Sequence, residues 1–362
     1  MSKARELASL GNAYSDGALS NRNLIINGAM QVAQRGTSWT TSGGQYTVDR
    51  WRSYDNVGSL FTIETSNDAP SGFKSSVKIT SNGSHSTASS DLGSFYQKLE
   101  NQDTYLLSWG ASSAKGVIVS FWVKSSLTGT FAIVLQNSNQ DYGCPIDYTI
   151  TSANTWEYKT IVVPAPTSGT WNNDSDNGVG IQLAFPLNTG SSYQATEGGW
   201  ASGSIWQSST AINLANTSGA TLYITGVQLE VGDTATPFEH RSYGQELALC
   251  QRYFNRYGTQ NGFTLLVPSI NGGTTNARCG VPLSTKLRAT PTVTPSASNA
   301  IVIRNHGSFS NYASTSIALG NEQQIEPNLI ALSVTVASGL VSASVNIPYI
   351  NTGHHLDFDA EL

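Results

Sequence analysis

The sequence predicts an all-β protein in which a jelly-roll or β-sandwich domain is followed by a short linking helix and a second, smaller β-sandwich domain. Composition indicates this first: charged residues make up only 12% of the 362 residues, and Gly, Ser, Thr and Asn are abundant. These four types fill turns and the solvent faces of strands. In addition, apolar and polar residues alternate in many short segments, whereas a convincing helical period occurs only after residue 240.

The chain divides into four segments by these patterns. Residues 1–22 form an N-terminal arm in which Leu7, Ala8 and Leu10 could share an apolar helical face. The arm is too short to bury that face by itself, so it is either a frayed terminus or an anchor that docks on a larger assembly. Residues 23–240 form the jelly roll, residues 241–255 the linking helix and residues 256–362 the C-terminal β domain.

Strands of the first domain are predicted by alternation with a period of two. Val117, Val119, Phe121 and Val123 would share the buried face of one strand. The same alternation recurs at Phe131, Ile133 and Leu135, at Tyr158, Thr160 and Val162, and at Ile181, Leu183 and Phe185. Polar turn residues separate these segments, which favours an antiparallel sandwich.

The segment 221–231 is the strongest strand pattern of this domain. Leu222 and Ile224 share one face, but Val227, Leu229 and Val231 share that face only if the chain skips one residue. Gly226 lies at the point of the skip, and glycine is the residue that a bulge favours. We therefore predict a β-bulge at Gly226 that turns all five apolar residues to the core.

The linking helix is predicted over residues 243–254, where Leu247, Cys250 and Phe254 recur at i, i+3 and i+7. This narrow stripe predicts an oligomer contact with the same helix of another subunit, and we expect a homotrimer held mainly by residues 243–362. The alternative is a helix that packs on its own sandwich. Strand patterns then resume at 263–267, 330–336 and 341–349.

Charge and hydropathy exclude several classes of function. The net charge is −5 and no run of Lys or Arg occurs, so nucleic-acid binding is not expected. No apolar run approaches 18 residues, and the N-terminus lacks an apolar core, so we expect neither membrane insertion nor a secretory signal. Cys144, Cys250 and Cys279 are widely spaced and odd in number, which argues against a disulfide framework.

Motifs that carry chemistry are also missing, so we predict no catalytic residue, no cofactor and no metal site. The five histidines have no partner at metal-ligand or triad spacing. Residues 172–178 resemble half of a calcium loop, but Asn177 and Leu183 occupy the positions that need Gly and Glu, so a polar hairpin loop is expected. A glycan depolymerase remains an alternative, because distant strands could bring two carboxylates together.

Aromatic residues in a polar stretch provide the candidate binding site. Trp200 and Trp206 lie near Tyr193, and Trp171 precedes the polar loop. Flat rings stack against the C–H faces of sugars, so these four residues are predicted to bind a glycan. The alternative is that they seal sandwich edges and subunit contacts.

Several phrases of the sequence resemble the tail-fibre type of tailed-bacteriophage virion proteins. They lie at residues 20–38, 46–51, 120–125, 226–241, 246–254 and 358–362, so they span nearly the whole chain. The sandwich region also resembles jelly-roll carbohydrate-binding modules. There, however, an aromatic residue and a Glu commonly follow an Asn-Gly phrase, whereas here Asn27 and Gly28 are followed by Met30 and Gln31. A structural calcium ion is therefore not expected.

The resemblance implies a virion structural protein, made in the host cytoplasm, that is not an enzyme. It implies that the arm containing Leu7, Ala8 and Leu10 is a virion anchor that binds other phage virion proteins. The leading expectation is a tail fibre that attaches to the host surface, with host surface polysaccharide as a partner. A head fibre or capsid decoration protein and a depolymerase spike are the alternatives.

Overall fold

A computed structural model describes residues 22–172, 176–258, 262–306, 309–326, 328–342 and 344–362. The predicted anchor residues Leu7, Ala8 and Leu10 lie outside the described residues. The prediction of an all-β fold of jelly-roll and sandwich type is confirmed. The chain forms two compact units: the first ends at Tyr243 and also takes in Leu362, and the second is Gly244–Glu361.

The first layer of unit 1 is a six-stranded antiparallel sheet. In spatial order, its strands are β1 (Ser38–Thr40), β4 (Phe61–Ser66), β5 (Ser76–Ser81), β15 (Thr221–Val231), β7 (Val117–Ser125) and β10 (Glu157–Val163).

The second layer is a seven-stranded sheet, called here the large sheet. In spatial order, its strands are β13 (Ala201–Ser202), β9 (Tyr142–Ile150), β8 (Gly129–Asn137), β11 (Val179–Thr189), β6 (Leu92–Glu100), β3 (Arg52–Asp55) and β2 (Gly43–Tyr46). Helix α1 (Asn101–Thr104) follows β6, and β12 (Gln194–Ala195) pairs with β14 (Gln207–Ser208) in parallel. Single 3₁₀ turns occupy Tyr105–Leu107, Ser191–Tyr193 and Leu214–Asn216.

The core between the two layers follows the predicted alternation on three strands. The predicted buried faces of β7, β8 and β11 are confirmed, since none of the apolar residues that were predicted on these faces is more than 3% exposed. The predicted face of β10 is wrong: Tyr158 and Val162 are 43% and 51% exposed, whereas Ile161 and Val163 are buried. This strand is at the edge of its sheet and carries apolar residues on both faces, so the period alone could not select the buried face.

The bulge predicted at Gly226 is confirmed. The pairing of β15 with β7 shifts between Thr225 and Gln228, and the φ angle of Gly226 is +61°. Leu222, Ile224, Val227 and Leu229 all join the core, as expected. Val231 at the end of the strand is 36% exposed, so the prediction was wrong for this fifth residue.

The Asn-Gly phrase near the start of unit 1 has a structural explanation. The buried Asn27 side chain donates hydrogen bonds to the carbonyl oxygens of Val32 and Asp49 and accepts hydrogen bonds from the amides of Gln31 and Val32. A Cβ on Gly28 would lie 2.1 Å from the carbonyl oxygen of Val227, because the two segments are in close contact. The phrase therefore holds the N-terminal segment against the bulged strand.

Unit 2 also consists of antiparallel strands. Its three-stranded sheet contains β16 (Phe254–Tyr257), β25 (Leu356–Asp359) and β20 (Thr292–Pro295). Its second sheet contains β17 (Thr264–Leu265), β18 (Ser269–Ile270), β24 (Val345–Ile350), β21 (Ile301–Asn305), β22 (Asn311–Glu326), β23 (Leu329–Val336) and β19 (Asn276–Pro282). The predicted buried face of residues 330–336 is confirmed, since Ile330, Leu332, Val334 and Val336 all belong to the core.

The predicted linking helix is present but shorter than expected. Helix α2 is Tyr243–Gln251, and Phe254 opens strand β16 instead of ending the helix, so the prediction that Phe254 belongs to a helical stripe was wrong. Phe254 pairs with Asp359, a residue that no local pattern can indicate. Cys250 and Phe254 are 1% and 2% exposed, whereas Leu247 is half-buried. Two of the three predicted oligomer contacts are thus covered within the chain.

Two further findings concern the described residues. Cys144, Cys250 and Cys279 are all buried, and none of them forms a disulfide. Among the described helices, none has the length and the apolar character that crossing a membrane requires. The domain bounds at residues 23–240, 241–255 and 256–362 stay predictions.

Candidate functional site

The four predicted glycan-binding residues lie in two separate clusters. Trp171 and Trp200 pack edge to face, with ring centroids 5.2 Å apart. Both also contact Trp109, and Tyr142 stacks on Trp200 at 5.7 Å. Tyr193 and Trp206 belong to a different cluster.

The Trp171 and Trp200 cluster has the contacts of a structural element. The indole N–H of Trp171 donates to the carbonyl oxygen of Ser168 at 2.8 Å, and that of Trp200 donates to the carbonyl oxygen of Pro164 at 2.7 Å. The indole N–H donors and much of the ring surface are therefore already engaged. These contacts hold the loop between β10 and β11 against the end of the large sheet, which agrees with the alternative interpretation of sealed edges.

Trp206 lies on the outer face of the large sheet, the face that points away from the sandwich core. It is 3% exposed and packs against Tyr96, with ring centroids 5.7 Å apart. The residues beneath it are small, Val134 and Ala184, which leaves room for an indole ring. Trp206 also donates its backbone N–H to the carbonyl oxygen of Tyr193, so the segment 193–206 covers part of this face.

A chain of hydrogen-bonded glutamine side chains holds the segment 193–206 in place. Gln140 donates to Gln182 at 3.1 Å, and Gln182 donates to Gln136 at 2.7 Å. Gln136 in turn donates to the carbonyl oxygen of Ile205 at 2.5 Å. Because Gln136 and Gln182 are buried and hydrogen-bonded, the backbone next to Trp206 is held in one position.

A second part of the outer face lies over β3 and β6. Arg52 pairs opposite Tyr96, and Tyr54 pairs opposite Ser94. Lys98 follows Tyr96 by two residues on β6 and so points to the same face. Arg52, Tyr54 and Lys98 are half-buried. We call this set, Arg52, Tyr54, Tyr96 and Lys98 together with Tyr193, the outer-face patch.

Two cations give the patch its electrostatic character. The guanidinium of Arg52 lies 5.7 Å from the ring centroid of Tyr46 and 6.0 Å from that of Tyr96. Burial, and secondly the charge of Arg52, lower the pKa of the Lys98 ammonium. Burial raises the pKa of the Tyr96 hydroxyl, although Arg52 opposes that effect. The patch thus combines aromatic rings with positive charge.

Sequence reasoning missed Arg52, Tyr54, Tyr96 and Lys98. A weak signal existed, because Tyr96 and Lys98 alternate with the core residues Phe95 and Leu99 along β6. That alternation places Tyr96 and Lys98 on an outer face but does not show which strand lies beside them. The pairing of β3 with β6 brings the patch together.

Three buried titratable groups of the chain are Asp49, Cys144 and Cys279. Burial raises the pKa of Asp49, but this carboxylate is 1% exposed and accepts two hydrogen bonds from Gln34. Burial also raises the pKa of the Cys144 and Cys279 thiols to about 12, so neither is a thiolate near neutral pH. Within the described ranges, no group of three or more His, Cys, Asp and Glu residues could hold a metal ion.

A pocket of about 420 Å³ lies elsewhere in unit 1. Its walls carry no charged or aromatic side chain: they are Leu127, Thr128, Ala211, Ile212, Asn213, Asn216 and Thr217. Nothing in this lining indicates a ligand.

No protein-family model matches the sequence, and no curated protein matches it. Solved structures that resemble the chain include the enzymatically active domain of tailspike protein 4 of bacteriophage CBA120, with 15% identity and a TM-score of 0.32. That match covers 58% of this chain but only 22% of the tailspike chain.

Two further matches cover their partners almost completely. A protein of Bacteroides thetaiotaomicron that has been assigned as sugar-binding has 12% identity and a TM-score of 0.35, over 58% of this chain and 100% of that one. A family 11 carbohydrate-binding module of a Clostridium thermocellum cellulase has 14% identity and a TM-score of 0.28, over 56% and 99%. Because these TM-scores are low, the assignment of the fold rests on the strand order described above.

Proposed function

We propose that this protein is a structural component of a phage virion, a tail fibre that attaches to the host surface by binding glycans through the outer-face patch. The main supporting observation is that Tyr54 and Tyr193 are half-buried and pack against the aromatic cluster of the outer face, where Tyr54 lies two residues from Arg52 on β3. A partly exposed ring with polar neighbours suits a sugar, since the ring packs on C–H groups and the neighbours bind hydroxyls. The virion assignment is supported by the resemblance of the phrases at residues 20–38 and 226–241.

The patch divides into contact residues and support residues. Tyr96 and Trp206 are 2% and 3% exposed, so they act as the packed support beneath the site. Tyr54 and Tyr193 pack against that support and keep part of their surface in solvent. In this proposal, Tyr54 and Tyr193 contact the sugar. Trp171 and Trp200 have a structural role, because they hold the loop between β10 and β11 in place.

Binding of the full-length protein to purified host surface polysaccharide tests the proposal. Tyr54→Ala and Tyr193→Ala should each weaken binding about tenfold, as expected for the loss of one stacked ring. Tyr158→Ala is the matched control, because Tyr158 is 43% exposed on the other sheet. Unchanged affinity in both patch variants, with intact folding, would refute the assignment of the site.

The anchor needs its own experiment. A variant that starts at residue 23 should fold and stay soluble but fail to join particles, because the arm that carries Leu7, Ala8 and Leu10 is missing. Immunogold labelling of intact particles would then separate a tail fibre from a head fibre or capsid decoration protein. Normal incorporation of the truncated chain would contradict the anchor.

The protein is proposed to be non-catalytic. A depolymerase spike would release oligosaccharides when incubated with host polysaccharide, and size-exclusion chromatography detects that release. We expect the polysaccharide to keep its size distribution while it binds the protein.

A homotrimer is proposed on the basis of an apolar face in unit 2. Leu265 is paired opposite Tyr349, and the ring of Phe263 lies 5.3 Å from that of Tyr349. Phe263, Leu265 and Val345 are each more than half exposed. Burying such a face in a subunit contact would remove it from water.

Light scattering of the purified chain measures the proposed trimer directly. Leu265→Asp should dissociate it, whereas Leu247→Asp tests the part of helix α2 that was predicted from the sequence. A stable monomer of the unsubstituted chain at micromolar concentration would contradict the trimer.

A further inference from the structure

The outer-face patch contains two cations that lack acidic partners. In the described part of the chain, several other cations of unit 1 pair with carboxylates, such as Lys78 with Glu64 at 3.2 Å and Lys159 with Glu157 at 2.6 Å. Neither Arg52 nor Lys98 forms an ion pair with a described carboxylate. Two neighbouring positive charges repel each other, and this cost is offset when an anion binds between them.

The position of the Arg52 side chain is fixed by its surroundings. A Cβ on Gly44 would lie 2.2 Å from an Nη atom of Arg52, so the guanidinium crosses β2 where this strand has no side chain. The rings of Tyr46 and Tyr96 flank it. A guanidinium held this way loses little side-chain entropy when it binds a ligand.

The Arg52 side chain also retains hydrogen-bonding capacity. Its Nε atom is buried and has no hydrogen-bond partner in the described structure. Because solvent does not reach the Nε atom, a ligand oxygen would bind the Nη donors of the guanidinium. A carboxylate is planar, and it can accept two hydrogen bonds from one guanidinium.

We propose that Arg52 and Lys98 bind the carboxylate of an acidic sugar residue, so that the ligand of the outer-face patch is an acidic polysaccharide. This inference rests on the proposed function, because it names the class of glycan bound at the same site. The carboxylate lies between the guanidinium of Arg52 and the ammonium of Lys98, and the pyranose ring extends toward Tyr54. Neutral glycans lack the group that the two cations recognise.

The test compares carboxylate-bearing bacterial surface polysaccharides with the same polymers after chemical reduction of each carboxylate to a neutral hydroxymethyl group. The full-length protein should bind the native polymers at least about tenfold more tightly than the reduced ones, since a charge-assisted pair is lost. Arg52→Gln and Lys98→Gln should lower binding of the native polymer to the level of the reduced polymer. Lys74→Gln is the control, because Lys74 is an exposed lysine of the same unit.

Two variants keep the test decisive. Should Arg52→Gln disturb folding, Lys98→Gln and the charge-conserving Arg52→Lys separate loss of charge from loss of structure. Equal binding of native and reduced polymers would overturn the acidic-sugar inference and leave glycan binding intact. Binding to neither form would overturn both the inference and the proposed function. Competition by inorganic phosphate as strong as that by galacturonate would show a general anion site and would also contradict the inference.

Discussion

Gly226 allows a sharp test of how one residue sets the register of a strand. Its φ of +61° lies in the left-handed region, which costs a residue with a side chain roughly 1–2 kcal/mol. A Cβ at this position would also lie 2.6 Å from the Phe73 ring and 3.2 Å from the Trp122 ring. Overpacking of this kind typically costs about 1–3 kcal/mol. Gly226→Val should therefore destabilise unit 1 by about 2–5 kcal/mol.

Two other glycines separate the backbone cost from the steric cost. Gly219 has a φ of +70° with nothing near its missing Cβ, so Gly219→Ala should show the backbone cost alone, about 1–2 kcal/mol. Gly199 also has open space, and its φ lies outside the left-handed region, so Gly199→Ala should change the stability by less than about 0.5 kcal/mol. Gly226→Ala should cost more than Gly219→Ala, because only Gly226 faces two rings.

Urea unfolding followed by tryptophan fluorescence is the appropriate assay. All eight tryptophans lie between residues 39 and 206, so their emission reports on unit 1. The difference in the free energy of unfolding follows from the midpoints and slopes of the transitions. An unchanged midpoint for Gly226→Val would refute the reasoning, as would equal effects of Gly226→Ala and Gly219→Ala.

Three further predictions concern unit 1. Burial alone would raise the pKa of Glu157, but hydrogen bonds from Lys159 and from Thr151 help lower it to about 2. Its stabilising effect should be full above pH 4.5 and be lost as the pH falls toward 2, and Glu157→Gln should remove that dependence in acid titrations of stability. Gly28→Ala should cost about 3 kcal/mol or more in urea unfolding, because a backbone carbonyl oxygen lies 2.1 Å from the new Cβ. Trp51→Ala should cost about 3–5 kcal/mol in the same assay, because the indole is fully buried.

Local patterns determined much of the fold. The alternation in residues 117–123 identified β7, and its four apolar residues are fully buried because successive side chains of a strand point to opposite faces. The break in the apolar alternation at Gly226 identified a bulge for the same reason, since one extra residue moves the following side chains to the opposite face of the strand. Both inferences use only neighbouring residues, so the sequence contains all the information that they need.

Local patterns were insufficient where both faces of a segment are apolar or where a partner is distant. The buried face of β10 depends on which side of the edge strand the core occupies, and Tyr158 and Val162 proved to be on the solvent side. Helix α2 ends before Phe254 because that residue pairs with Asp359, about a hundred positions away in the chain. Pairing with so distant a residue does not change the apolar pattern of the sequence around residue 254.

The candidate site shows the same division. The sequence singled out Tyr193 and Trp206 through their polar surroundings, and both lie in the aromatic cluster of the outer face. It could not show that Arg52 lies beside Tyr96, because these residues are more than forty positions apart in the chain and only the pairing of β3 with β6 joins them. The sequence by itself therefore determined most of the strands, the bulge and two aromatic residues of the outer-face cluster. Tertiary structure alone decided which side chains meet on one face, since that choice depends on register between strands far apart in the chain.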